Sequence, residues 1–255
     1  MEHWFDRTEA GRVEWAQRLG LPRFRARQLD THLFSRLEDS PDEWTDIPKP
    51  LREKLQAECL PPLLAPVTTL TADQGATVKS LWRLPDGVLV EGVLMRYGVK
   101  GLPASGRGDE RATLCLSCQA GCAMGCPFCA TGQGGLQRNL TCGEIVAQVA
   151  DAAGLLARGE VAGGPGQVGN IVLMGMGEPL ANYDAVLAAI RTLARPQPDG
   201  YGMSPRGITL STVGLVPRIA RLAEEELPIT LAVSLHAPDD GLRDELIPVN
   251  QRWKV

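Results

Sequence analysis

The stretch Arg111-Ala112-Thr113-Leu114-Cys115-Leu116-Ser117-Cys118-Gln119-Ala120-Gly121-Cys122-Ala123-Met124-Gly125-Cys126-Pro127-Phe128-Cys129-Ala130 governs how the rest of the chain is read. Its first residues, 112–116, are apolar and β-prone and predict a strand. A glycine-punctuated loop follows, with Cys122, Cys126 and Cys129 at C-x3-C-x2-C spacing. Three thiolates in eight residues can wrap one corner of an inorganic cluster. A [4Fe–4S] cluster held by three cysteines keeps one iron open, where a small chelating molecule can bind and receive an electron. Zinc stays open as an alternative, because Cys115 or Cys118 could supply a fourth thiolate. Five cysteines between positions 115 and 129 are too dense for a set of ordinary buried thiols.

Outward from this stretch, strand and helix patterns alternate. Further strands are expected at 170–174, 207–211 and 229–235, with helices near 142–158, 182–195 and 215–225. The first helix is signalled by a Thr141/Glu144 capping box, followed by apolar Ile145, Val146, Val149 and Leu155. Repeated βα units with apolar strands predict a parallel sheet, whose chemistry sits on loops at the strands' carboxyl ends. The cysteine loop follows the first strand, and Met174-Gly175-Met176-Gly177-Glu178-Pro179 the second. Ser211-Thr212 follows the third, and Ser234-Leu235-His236 ends the fourth. Singly, each is readable as a turn or cap, and His236 as a satisfied strand-end histidine. Together they fall on one rim.

Toward the N-terminus the pattern changes. Residues 8–59 carry apolar positions four apart (Trp15 and Leu19; Leu29, Leu33 and Leu37; Leu51 and Leu55), punctuated by Pro41, Pro48 and Pro50. They predict a helical domain over 1–59. Residues 60–110 predict a small antiparallel β unit, with turns at Asp73-Gln74-Gly75 and Pro85-Asp86-Gly87 and an exposed loop over 98–110. The third unit spans 111–255.

At 255 residues, with 44% hydrophobic and 22% charged side chains, the chain can bury a substantial core. Its longest apolar stretch, 60–67, holds three prolines, so no membrane span is expected. The charged start does not resemble a signal peptide. Seven cysteines, an odd number and most of them clustered, fit a reducing, cytoplasmic setting. A net charge of −4 gives no support to a large nonspecific nucleic-acid footprint, and Arg23-Phe24-Arg25-Ala26-Arg27 is equally a solvated helix start.

These motifs together resemble the radical S-adenosylmethionine superfamily, and within it the dual-specificity 23S rRNA/tRNA adenine C2-methyltransferases. The resemblance rests on Gly121-Cys122, Cys126-Pro127-Phe128-Cys129-Ala130-Thr131-Gly132, Arg138-Asn139-Leu140, Met174 to Leu180, Thr209 to Thr212, and Ser234 to Pro238 with Arg243-Asp244-Glu245. It covers essentially the whole chain. It implies an α/β fold: a partial (β/α) barrel of the radical SAM type with an N-terminal helical accessory domain and a small β unit. Cys122, Cys126 and Cys129 would hold the cluster. Gly177, Glu178, Ser211, Ser234, Leu235 and His236 would line the S-adenosylmethionine site, with the Glu178 carboxylate facing the cofactor's ammonium. Glu91 matches a glutamate proposed as proton acceptor, although an outward position in an alternating strand explains it equally. Cys115 matches a non-ligand cysteine that forms a transient disulfide to release the enzyme from its RNA adduct. The implied reaction consumes two molecules of S-adenosylmethionine. One methylates an enzyme cysteine, and the other yields a 5′-deoxyadenosyl radical that activates that methyl group for addition to C2 of an unstacked adenine. The implied partners are 23S rRNA, tRNA and a flavodoxin- or ferredoxin-type electron donor, and the implied state is a monomer.

Two features depart from the pattern. Leu136 stands where phenylalanine is usual. No cysteine follows Cys142, and four βα strands are counted where the superfamily's partial barrel has six. The expectation is therefore a member incomplete at the C-terminus, lacking the methyl-accepting cysteine and unable to methylate RNA alone. The alternatives are a C8-adenine 23S rRNA methyltransferase conferring antibiotic resistance and a non-catalytic metal- or RNA-binding remnant.

Overall fold

The computed structural model describes residues 2–99 and 110–254, so most of the loop expected over 98–110 lies outside the described residues. The N-terminal region is helical, as its four-residue spacing requires. Helix α1 (Glu9–Arg18) starts at Thr8, whose hydroxyl accepts the Gly11 N–H at 3.2 Å. Helix α2 (Arg23–Asp30) runs into a π-helical turn, Thr31–Arg36, that stops at left-handed Leu37. Helix α3 (Lys49–Cys59) carries Pro50 in its first turn, where no amide donor is lost. Trp4, Phe34, Trp44 and Leu55 are fully buried between these elements. Arg12 and Asp30 form a buried ion pair at 3.0 Å, and Trp4 donates to Asp30 at 2.7 Å. Arg12 also donates to the Asp199 carbonyl at 2.6 Å, joining this region to the rest of the molecule.

Among the described residues seven strands make one sheet, in the order Ala65–Ala72 (β1), Thr77–Arg83 (β2), Leu89–Tyr97 (β3), Arg111–Cys115 (β4), Val168–Leu173 (β7), Ile208–Thr212 (β8) and Thr230–Val233 (β9). Strands β1 (Ala65–Ala72), β2 (Thr77–Arg83) and β3 (Leu89–Tyr97) are antiparallel. Strand β3 also pairs antiparallel with β4 (Arg111–Cys115), Val93 opposite Cys115, so the β unit is hydrogen-bonded into the main sheet. From β4 onward, β7 (Val168–Leu173), β8 (Ile208–Thr212) and β9 (Thr230–Val233) are parallel, as the apolar strand pattern predicts. A short hairpin, β5 (Gln119–Gly121) with β6 (Leu136–Asn139), encloses the cysteine loop and the single turn α4 (Ala130–Gln133). The crossovers carry α5 (Cys142–Ala157), α6 (Tyr183–Ala194) and α7 (Val216–Ala223), and α8 (Asp240–Leu246) follows β9.

Period-two alternation divides the sheet's faces. Val90, Leu94, Leu114, Ile171, Ile208 and Leu210 are buried in the core. Glu91, Val93, Cys115, Val172, Thr209 and Ser211 share the half-buried opposite face. The Thr141/Glu144 capping box forms as expected. Glu144 also receives a two-pronged hydrogen bond from Arg138, at 2.7 and 2.8 Å, which locks β6 onto the start of α5.

One boundary differs from expectation. The strand expected over 229–235 ends at Val233, so Ser234, Leu235 and His236 lie in the following loop. The Ser234 N–H still donates to Thr212 O at 2.8 Å. Beyond it, Arg243 from α8 captures the carbonyls of Leu235 and Ser234, and His236 turns left-handed with φ of 60°. A tertiary guanidinium thus ends the ladder.

Candidate active site

A cleft of about 470 Å³ opens at the carboxyl ends of the parallel strands. Of the sequence-predicted residues, Cys122, Cys126, Cys129, Gly177, Glu178, Ser211, Ser234 and His236 line it. Leu235 is 46% exposed and is not part of the lining. Glu91 and Cys115 also stand apart from it, together on the half-buried sheet face.

The cysteine loop is shaped by its hairpin. Gly121 has φ of 77°, and a Cβ there would lie 1.9 Å from the Gly135 carbonyl oxygen. Only glycine admits this approach. It lets the Cys122 N–H donate to Gly135 O at 3.0 Å, closing the loop. Cys129 N–H donates to Cys126 O at 3.1 Å, turning the second and third thiols toward the cleft. Burial pushes the thiols of Cys122 and Cys126 above the usual cysteine range, and neighbouring thiols add to this: Cys129 acts on both, and Cys122 also acts on Cys126. The three sulfurs are therefore within electrostatic reach of one another. Such a set favours thiolate only when cationic metal is bound among it. Among the described residues, no three His, Cys, Asp or Glu side chains converge on one point as the ligands of a single ion do. Three thiols arranged around a cleft fit the corners of a multi-iron cluster.

The second loop is built around Glu178. Its side chain, 3% exposed, accepts the Leu180 N–H at 3.0 Å and the Val213 N–H at 2.9 Å. Burial pushes its pKa above the usual carboxylate value, and the Val213 and Leu180 amides and the Thr212 hydroxyl pull it back. The carboxylate thus ties the loop after β7 to the loop after β8. Gly177, at φ of 105°, lies so close to Gln119 that a Cβ would come within 2.5 Å of the Gln119 Cβ. At the far wall the hydroxyls of Ser211, on β8, and Ser234, just past the end of β9, meet at 3.3 Å. The His236 ring lies 4.9 Å from that of Phe128, which projects from the cysteine loop.

Glu91 forms an ion pair with Lys79 at 2.7 Å, and Ser117 donates to its main-chain carbonyl at 2.6 Å. Cys115 lies opposite Val93, two residues along β3 from Glu91. Burial raises its thiol pKa; a main-chain hydrogen bond to Met174 opposes this, and the Glu91 carboxylate adds a further rise.

Several supporting residues carry no sequence signal beyond being polar near strand ends. The Ser117 hydroxyl accepts the Met176 N–H at 2.9 Å, and Gln119 Oε1 accepts the Glu178 N–H at 2.8 Å. Asn182 donates to the carbonyls of Cys118 and Leu140, each at 2.8 Å.

Residues 116–254 match the family described as the Radical SAM superfamily. The chain belongs to that superfamily. Membership implies a [4Fe–4S] cluster and S-adenosylmethionine as cofactors, which the three thiols around the cleft fit. A protein of Nocardioides sp., named "Probable dual-specificity RNA methyltransferase RlmN", is 60% identical over 253 residues, covering 99% of this chain and 64% of that protein. One of the same name from Cutibacterium acnes is 59% identical, covering 99% of this chain and 61% of that one. A solved radical SAM methyltransferase from Sphaerobacter thermophilus superposes with a TM-score of 0.89 at 43% identity, covering 100% of this chain and 70% of that one. The chain thus spans 61–64% of the length of these curated relatives. Among the described residues no helix is long and apolar enough to cross a membrane.

Proposed function

We propose that this chain carries the cofactor-binding centre of a radical SAM RNA methyltransferase that modifies C2 of an adenine in 23S rRNA and in tRNA. One observation carries the reading: three thiols, a buried Gly-Glu turn and a paired-serine wall meet in one cleft at the carboxyl ends of parallel strands. High identity to proteins named as dual-specificity RNA methyltransferases supports the substrate assignment.

In this reading Cys122, Cys126 and Cys129 hold the cluster. When bound, the cluster supplies the electron that cleaves S-adenosylmethionine reductively. The Gly177–Glu178 backbone would offer its main-chain groups to the cofactor's amino group, while the Glu178 carboxylate fixes the loop through its two amide contacts. The Ser211 and Ser234 hydroxyls would offer donors and acceptors to the cofactor's polar edges, beside the tilted ring pair of Phe128 and His236. Glu91, once free of Lys79, takes up the proton released at the target carbon. Cys115 would resolve the protein–RNA adduct: its thiolate would bond to the sulfur of the methyl-carrying cysteine, which no position after Cys142 supplies here, as that sulfur's bond to the RNA-borne carbon breaks and the carbon takes up a proton. Electrons come from a flavodoxin- or ferredoxin-type donor.

The test is anaerobic reconstitution of the 255-residue chain with iron and sulfide, then incubation with S-adenosylmethionine and dithionite. The expected products are 5′-deoxyadenosine and methionine in equal amounts. A fully reconstituted chain that yields neither refutes the assignment. Mass spectrometry of RNA treated with a longer relative of this chain distinguishes C2 from C8 modification.

A further inference from the structure

A second cavity, of about 280 Å³, lies between the N-terminal helices and α5 and shares no lining residue with the cleft. It exists because α5 presents small side chains there. Ala147, Ala150 and Asp151 are three and four residues apart, so they share one helix face. Opposite them stand Phe5, Leu33 and Leu63. The walls are mostly apolar, yet His3, Glu38, Asp39, Gln56 and Asp151 border the space, and two of these decide what it can hold.

The first is His3, 5% exposed. Its Nδ1 accepts the Phe5 N–H at 3.1 Å, so the neutral ring carries its proton on Nε2. Among the described residues nothing accepts that proton. Burial pushes the His3 pKa down to about 4, so the ring is neutral at physiological pH. On the same wall Gln56 Oε1 is buried without a partner, and a polar atom left so is costly. The second is Asp151, half-buried, with Asp39 near enough to act on it; burial raises its pKa. Its carboxyl takes a hydrogen bond from Trp82 and keeps further acceptor capacity. Glu38, on the same rim, is already paired with His32.

We propose that this cavity binds an amino-substituted aromatic nitrogen heterocycle. A flat ring suits walls of Phe5, Leu33 and Leu63. A ring nitrogen accepts from His3 Nε2–H, and an amino group on the adjacent carbon donates to Asp151. The acidic rim disfavours phosphorylated forms of such a ligand. Neither the cluster nor the S-adenosylmethionine site uses these residues.

Isothermal titration of the full chain with 4-aminoquinazoline, and with quinazoline, tests the assignment. The aminated ring should bind saturably, and quinazoline at least about tenfold more weakly. His3→Asn keeps an acceptor for the Phe5 N–H but sets its amide N–H donors short of the position of Nε2–H, and should weaken binding by about tenfold. Ala150→Leu fills the cavity and should abolish binding while leaving the circular-dichroism melt unchanged or raised. No saturable binding up to the ligand's solubility, or equal affinity for both rings, overturns the proposal. Undiminished binding in folded Ala150→Leu places the ligand elsewhere and overturns it too.

Discussion

Replacing Gly121 by alanine should damage the cysteine loop by two separable routes. The first is conformational, because a side chain at φ of 77° sits in the left-handed region and costs about 1–2 kcal/mol. The second is steric. The new Cβ would fall 1.9 Å from the Gly135 carbonyl oxygen. That oxygen must then retreat by about 1.5 Å to reach ordinary contact. It is also the acceptor of the Cys122 N–H at 3.0 Å, so the loop-closing bond is lost, at about 0.5–1.5 kcal/mol. Together Gly121→Ala should cost about 1.5–3.5 kcal/mol. Two neighbours separate the routes. Gly135→Ala meets the same left-handed penalty, with φ of 69° but nothing within 4 Å of the new Cβ, so it should cost only about 1–2 kcal/mol. Gly134→Ala has an ordinary helical φ of −76° and a nearest atom at 3.7 Å. It should be neutral or stabilising by about 0.4–1 kcal/mol. Anaerobic guanidinium denaturation gives the three stabilities, and iron content after reconstitution reports the loop. A Gly121→Ala chain no less stable than Gly135→Ala, or one that binds iron as well as the parent, would falsify the steric argument.

Replacing Cys122, Cys126 and Cys129 together by serine should abolish the brown colour and visible absorption of the reconstituted protein; iron retained by that variant would refute the ligand assignment. Glu178→Gln leaves one of the Leu180 and Val213 amides facing a donor, and should destabilise the chain by about 1–3 kcal/mol. An effect within the error of the denaturation curve would show that the carboxylate does not brace the two loops. His3 titrates at about 4 when folded, below its ordinary 6.5, so the unfolded chain binds its proton more readily. Its contribution is therefore present above pH 6.5 and lost as pH falls toward 4, by about 3 kcal/mol in all. The parent should lose that much more stability than His3→Asn across this window, and parallel pH profiles would contradict the assignment.

The parts of the fold legible in the sequence are those fixed by local chemistry. The α5 start was readable because Thr141 and Glu144 satisfy each other's backbone within four residues. The parallel strands were readable because burial on one face makes every second residue apolar. What stayed hidden depends on distant partners. The pairing of β3 with β4, which draws the β unit into the main sheet, joins residues farther apart in the chain than a local pattern reaches. The true end of β9 is set by Arg243, ten residues past Val233. The site divides the same way. The eight predicted residues that line it sit in motifs whose glycine, cysteine or serine content marks a loop. Ser117 and Gln119 look like ordinary turn residues until the second loop is seen to hang from them. That Glu178 spends its carboxylate on two main-chain amides was equally invisible, since a glutamate in a loop reads as a ligand to something charged.

These ties explain how a cleft assembled from four loops keeps one shape. Ser117 and Gln119, in the segment joining β4 to the cysteine hairpin, hold the Met176 and Glu178 amides of the loop after β7. Glu178 in turn holds the Val213 amide of the loop after β8. Arg243 holds the Val213 carbonyl together with those of Ser234 and Leu235, closing the chain of contacts onto the loop after β9. Each loop is therefore fixed to the next by a buried side chain bonded to main-chain groups, whose geometry does not depend on neighbouring side-chain identity. Glu178 and Arg243 grip opposite ends of one residue, Val213, so loss of either leaves a buried partner unsatisfied. The Ser211–Ser234 pair lies between those two anchors and should lose its 3.3 Å register when either is removed. Coupling between Glu178→Gln and Arg243→Met in a double-mutant cycle follows from this arrangement, and additive effects would break it.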